Sequence, residues 1–202
     1  MKIAKVSKLL VKRLELYLNY LKTLPDTVVN ISATSIARAL ELGDVQVRKD
    51  LARVSDGGRC RTGHVRQRLI RDIESFLTFG GAAGAVVVGD GRLGQALLDH
   101  NGLEMAGIQL LAGFDLQPRE AASGTPVYPL EQLEAYCRAN PVQIGIIAVP
   151  EEAAQEVCDL LVSCGIQAIW NFASVRLEVP ENIVVQNENL AASATTLRLQ
   201  LK

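Results

Sequence analysis

The sequence predicts an α/β protein in two parts, an N-terminal winged helix–turn–helix domain followed by a Rossmann-type parallel-sheet domain. Three observations predict it: opposite charge in the two halves, a run of amphipathic helices in the first, and the stretch AVVVGDGRLG at residues 85–94. Over 202 residues the net charge is −1, yet residues 1–80 hold 15 Lys and Arg against 8 Asp and Glu, while residues 81–202 hold 6 against 14. The halves therefore carry +7 and −8. A chain of this length suits two small domains, and 49% hydrophobic with only 4% aromatic residues implies cores of Leu, Ile, Val and Ala. The expected divisions are 1–80, 81–186 and a C-terminal helical segment, 187–202.

From Ile3 to Leu21, Val6, Leu9, Leu10, Leu14, Tyr17, Leu18 and Leu21 recur every three or four positions with lysines between them, as one amphipathic helix ending before Pro25. A second helix starts at Ser32 as N-cap, buries Ile36, Ala37 and Leu40, and stops at Gly43. A third, VQVRKDLARV, capped by Asp44, sets Val47, Leu51 and Val54 inward and Gln46, Lys49 and Arg53 outward, with Arg48 on the flank. Such an outward face suits a DNA major groove, where Arg and Lys read guanine and Gln reads adenine. SDGGRCRTG (55–63) has the turn-formers of a β-wing, and its Arg59 and Arg61 are candidate DNA contacts. A fourth helix spans His64 to Thr78, and FGGAAG (79–84) is the linker.

In the second half, the strand Ala85–Val88 runs into Gly89-Asp90-Gly91-Arg92-Leu93-Gly94 and a helix to Leu98, and a further strand, IQLLAGF, ends in Asp115. Gly89 permits a tight turn, Gly91 close approach of a pyrophosphate, and Gly94 helix–strand contact; Asp115 accepts ribose hydroxyls and repels a 2′-phosphate. NAD(H) is expected ahead of NADP(H). Alternation continues with helix 130–139, strand 142–149, helix 151–164, strand 166–170 and strand 183–185. This is the pattern of a doubly wound parallel sheet.

The longest apolar runs are too short to cross a membrane, and MKIAKVSKLLVKR has charges where a signal peptide needs an apolar core. A cytoplasmic location with no membrane partner is expected. Cys60, Cys137, Cys158 and Cys164 match no CxxC or common zinc spacing, so no metal is expected. Cys60, between Arg59 and Arg61 and near His64, is the thiol whose surroundings would lower its pKa. Residues 81–202 contain one histidine, His100, and one lysine, Lys202. With so few acid–base groups and no second substrate domain, no catalytic residue is assigned, and sensing is favoured over catalysis.

KVSKLLVKRL, VQVRKDL, VVVGDGRLGQALL, GFD ending in Asp115, GTPVYPLEQL, IIAVPEEAAQEV, NFASVRLEVP and NENLA run along essentially the whole chain. On these stretches it resembles the Rex family of redox-sensing repressors. The resemblance implies a homodimer on double-stranded operator DNA, released by NADH, with the last helix swapped between subunits. Expected cofactor contacts are Gly89 to Gly94, Asp115, Val149, Pro150, Asn171 and Phe172. It also implies a switch through an arginine in the first helix, a tyrosine and an aspartate. Arg13 matches the first, but His64 and Asn189 stand at the other two positions. Loss of the carboxylate that Arg13 would pair with implies a switch that is weaker, differently triggered or lost. Two alternatives stand beside this: a Rex-fold repressor indifferent to nicotinamide redox state, and an NAD-dependent enzyme or CoA-binding subunit, since NFAS and AVPEEAAQEV also resemble the nucleotide-binding domain of the succinyl-CoA synthetase α-subunit.

Overall fold

The structure, a computed structural model, describes residues 7–58, 63–78, 81–100 and 102–201. It divides into two compact units, Met1–Gly80 and Gly81–Lys202.

In the first unit, helix α1 (Lys8–Thr23) begins at Ser7, whose hydroxyl caps the Leu10 N–H, and buries Leu10, Leu14, Tyr17 and Leu21. Leu9, expected in the core, is 67% exposed. It lies one residue off the buried stripe, which follows 10, 14, 17 and 21. After the short strand β1 (Asn30–Ile31) come α2 (Ala33–Ala39), capped by Ser32 as expected, and α3 (Asp44–Val54). The turn between them departs from the sequence reading. Glu41, not Gly43, takes the left-handed conformation at φ +54°, and the Leu42 N–H closes the helix end on the Ala37 carbonyl at 2.8 Å. Gly43 is instead the N-cap of α3. Asp44 sits in its first turn, where a carboxylate opposes the positive end of the helix dipole.

Strand β2 (His64–Val65) pairs antiparallel with β1 and precedes α4 (Arg66–Leu77). The expected helix from His64 therefore starts two residues late. Ile31 and His64 face each other in the ladder, so His64 is buried while Val65 is exposed. One core joins Leu14, Tyr17, Ile36, Val47, Leu51, Leu69 and Ile73 from all four helices. Residues 59–62, with Arg59, Cys60 and Arg61, lie outside the described residues, as do 79–80 of the expected linker.

The second unit contains β3 (Ala83–Val88), α5 (Arg92–Leu98), α6 (Gly102–Met105), β4 (Ile108–Asp115), β5 (Val127–Pro129), α7 (Leu133–Ala139), β6 (Val142–Ile147), α8 (Glu151–Ser163), β7 (Ala168–Asn171), β8 (Val184–Asn187) and α9 (Leu190–Gln200). The strands form one parallel sheet in the order β5-β4-β3-β6-β7-β8. Ala83 and Gly84, read as linker, already belong to β3, because their backbone pairs with both neighbouring strands or with β4. The edge strand β5 has no clear strand signal in the sequence, being three residues long and ending in proline. Along β3, Val86 and Val88 enter the core with α7 and α8, and Ala85 and Val87 enter the opposite core with Leu98 of α5. Both faces of the sheet are covered, as a doubly wound sheet requires. All of α9 is exposed, including Leu190, Leu197, Leu199 and Leu201.

Candidate functional site

Strand order reverses between β3 and β6, and in open parallel sheets a ligand crevice forms beyond the carboxyl ends of the strands at that point. A cleft of about 770 Å³ lies there, bounded by Gly89–Gly91 after β3, Asp115–Arg119 after β4 and Ala148–Pro150 after β6. Its glycines divide the work. Gly89 has φ +100°, and a Cβ on it would lie 2.6 Å from the Ala148 carbonyl oxygen. A Cβ on Gly94 would lie 1.8 Å from the Gly89 carbonyl oxygen, whereas one on Gly91 would meet nothing within 4 Å. Turn and helix are thus locked together at the first and third glycines, while the second presents bare backbone to open space.

Asp115 is fixed at the lip: its carboxylate accepts the Asp90 N–H at 2.7 Å and the Gln117 N–H at 2.9 Å. Each oxygen keeps a lone pair for a further donor. Asp90, 2% exposed, accepts the Arg119 backbone N–H at 2.6 Å and the Arg119 guanidinium at 3.0 Å, and Arg119 also donates to the Asp90 carbonyl at 2.7 Å. These bonds strap the loop after β4 onto the glycine turn. Sequence reasoning missed Arg119; its one signal was a cation four residues beyond Asp115.

Of the other expected cofactor residues, Val149 and Pro150 line the cleft, and Arg92, Leu93 and Gly94 form the start of α5, directly after Gly91. Asn171, fully buried, ties β7 to its neighbours: it donates to the Val175 carbonyl and Asn187 Oδ1, each at 2.9 Å, and accepts the Ala173 N–H at 3.0 Å. Phe172 packs on Trp170 with ring centroids 4.9 Å apart. Neither is among the residues lining the cleft.

On α3, Gln46, Arg48, Lys49 and Arg53 are exposed while Val47 and Leu51 are buried. Arg48 is drawn back along the helix by Asp44 at 2.7 Å. Beneath this face lies a group that the sequence reading did not single out. Asp50, 1% exposed, accepts Arg13 Nε at 2.6 Å and Nη2 at 3.1 Å, the Tyr17 hydroxyl at 3.0 Å and Gln46 Nε2 at 2.8 Å. Burial pushes the Asp50 carboxyl upward in pKa, and the bonds from Arg13, Tyr17 and Gln46 outweigh it, holding the group below the ordinary carboxylate range. Burial, reinforced by Asp50, pushes the Tyr17 phenol up to about 12.

Arg13 has a carboxylate partner, Asp50, within its own unit, and Asn189 is the N-cap of α9, accepting the Ala192 N–H at 2.8 Å. His64 is 9% exposed, with Nδ1 buried and unpartnered among the described residues. Burial lowers its pKa from the ordinary 6.5, opposed by Asp72. The unfolded chain then binds more protons below pH 6.5, so the stabilisation present above that value is lost as pH falls toward the folded pKa. The unfolding midpoint is expected to drop on going from neutral pH to about pH 5. His64→Gln should flatten that slope; an equal slope in both proteins would assign the effect elsewhere.

Residues 5–52 match the family described as putative DNA-binding protein N-terminus, and residues 82–175 the CoA binding domain family. The redox-sensing transcriptional repressor Rex of Porphyromonas gingivalis is 38% identical over 202 residues, covering 98% of this chain and 93% of that protein. The Rex of Bacteroides thetaiotaomicron is 38% identical, covering 93% and 87%. Among solved structures, RSP in complex with β-NAD⁺ and operator DNA superposes with a TM-score of 0.88 at 30% identity, covering 98% of this chain and 93% of that one. RSP, described as a Rex-family repressor, gives 0.83 at 30% identity, covering 98% and 94%. No helix among the described residues is long and apolar enough to cross a membrane. Agreement along nearly the whole length, in both sequence and fold, makes this chain a member of the Rex family of redox-sensing transcriptional repressors.

Proposed function

We propose that the chain is a homodimeric, cytoplasmic repressor, not an enzyme, that binds double-stranded operator DNA through residues 1–80 and senses the NADH/NAD⁺ ratio through residues 81–186, with residues 187–202 exchanged between subunits. The observation that carries the sensing half is the cleft at the sheet's switch point, with Gly91 open to it and Asp115 fixed at its lip. Gly89–Gly91 would hold the pyrophosphate and Asp115 the adenine ribose. The carboxylate favours NAD(H) over a 2′-phosphorylated cofactor. On the DNA side, Lys49 and Arg53 project from α3 beside Gln46. The relative RSP was crystallised with operator DNA and β-NAD⁺ and separately with β-NADH, which supports this reading.

The mechanism is linkage. NADH releases the operator by its differential affinity for the DNA-competent and DNA-incompetent dimers, a coupling commonly of about 1–3 kcal/mol. Gel shifts on operator DNA are expected to show release by NADH and retention with NAD⁺. Equal release by both, or by neither, would remove redox sensing. Lys49→Ala with Arg48→Ala should weaken operator binding at physiological salt; unchanged affinity would displace the recognition face from α3. A second reading, a repressor with altered coupling, is favoured by Arg13 being paired with Asp50 while position 189 is an amide. It predicts NADH binding by calorimetry without operator release.

A further inference from the structure

The charged residues lining the cleft are two carboxylates, Asp90 and Asp115, and one cation, Arg119. Both carboxylates brace the backbone. Asp115 accepts the Asp90 N–H at 2.7 Å, and Asp90 accepts the Arg119 N–H at 2.6 Å, so the glycine turn and the loop after β4 are bonded in both directions. The donors are main-chain groups, and neither bond needs an arginine at position 119. The Arg119 side chain adds a second set of bonds. Its Nη2 donates to Asp90 Oδ1 at 3.0 Å and to the Asp90 carbonyl at 2.7 Å, and its Nε donates to Oδ1 at 3.3 Å. The ion pair is lopsided in burial: the Asp90 side chain is 2% exposed and that of Arg119 is 66% exposed. A carboxylate cut off from water is thus packed under the turn, and its counter-charge is carried by a side chain that water reaches from the cleft.

That arrangement bears on the ligand. A pyrophosphate is anionic, and Gly89–Gly91 is the stretch that presents open backbone to it. A buried, uncompensated carboxylate within the same three residues would repel it, and more strongly than in water because little solvent lies between the charges. We propose that Arg119 is a positioning residue for the dinucleotide that acts through its charge on Asp90: it neutralises the buried carboxylate, so that a turn braced by an acid still accepts an anionic ligand. The inference rests on the nicotinamide reading of the cleft and assigns to Arg119 a part in affinity that its bonds to the turn alone do not require.

Calorimetric titration of the full-length protein with NADH and with ADP-ribose, which share the pyrophosphate, tests it in three variants. Arg119→Gln keeps hydrogen-bond donors and loses the charge, and should weaken both ligands alike by roughly tenfold or more. Arg119→Lys keeps the charge and loses the planar fork, and should stay much closer to the wild type. Adding Asp90→Asn to Arg119→Gln removes the buried charge, while the amide oxygen still accepts the Arg119 N–H, and should restore most of the lost affinity. The main-chain bond survives in all three, so each should keep a cooperative unfolding transition. A wild-type protein that binds neither ligand would overturn the cofactor reading and this assignment with it. Wild-type binding with unchanged affinity in Arg119→Gln would overturn the assignment alone. So would a lysine variant as weak as the glutamine one, or a double variant no tighter than Arg119→Gln, since either result would trace the effect to lost bonds and not to charge.

Discussion

Gly94→Ala is expected to abolish NADH binding and to lower the stability of residues 81–202 by roughly 2–4 kcal/mol. The added methyl would sit 1.8 Å from the Gly89 carbonyl oxygen and 2.9 Å from its carbon. Both are backbone atoms, so no rotamer relieves the overlap, and α5 must move away from the turn. Gly89 cannot yield in its place, because its own position is set by the Ala148 carbonyl and by a bond from its N–H to Phe114 at 2.8 Å. Gly91→Ala separates binding from folding. Nothing lies within 4 Å of its Cβ position, so the midpoint should hold while affinity falls. Calorimetric titration and thermal unfolding of the two variants decide the matter. A Gly94→Ala protein with unchanged affinity and midpoint would contradict the packing described here.

Asp50→Ala is expected to cost roughly 2–4 kcal/mol, less than the full penalty for breaking a buried ion pair because the Arg13 side chain stays 24% exposed to water. Arg13 and Tyr17 would be left facing a cavity where a carboxylate had bonded both. Asp50→Asn keeps the volume and one acceptor oxygen, and should cost about half as much. Operator recognition should suffer separately. In Asp50→Ala, Gln46 loses the acceptor 2.8 Å away that orients its amide, so discrimination between operator variants is expected to relax, and less so in the asparagine protein. Denaturant unfolding measures the first effect and competition binding with operator variants the second. A cost of Asp50→Ala below about 1 kcal/mol would mean that the carboxylate is not holding α1 to α3.

The fate of individual residues shows where legibility ends. The glycine turn was readable because each glycine answers a demand of local backbone geometry within ten residues of chain. The strand alternation and the Ser32 cap were readable for the same reason, being set by period and by immediate neighbours. Asp50 was not, since its donors Arg13 and Tyr17 are 37 and 33 positions earlier, and only the packing of α1 on α3 unites them. His64 continues a helical pattern in sequence, and pairing with Ile31 in a two-residue ladder overrides it. Asn171 sits in a stretch read as a cofactor contact, and its amide is consumed by bonds to the loop after β7 and to β8.

By itself the sequence determined the two-part architecture, the opposite charges of the parts, the register of the phosphate turn and the outward face of α3. Periodicity and glycine spacing encode these at short range. Only the tertiary structure decided that Arg13 already holds a carboxylate and that Arg119 straps the glycine turn. The physical reason is common to both. Each is a contact between side chains on separate elements, and its existence depends on how those elements pack, which no local pattern records.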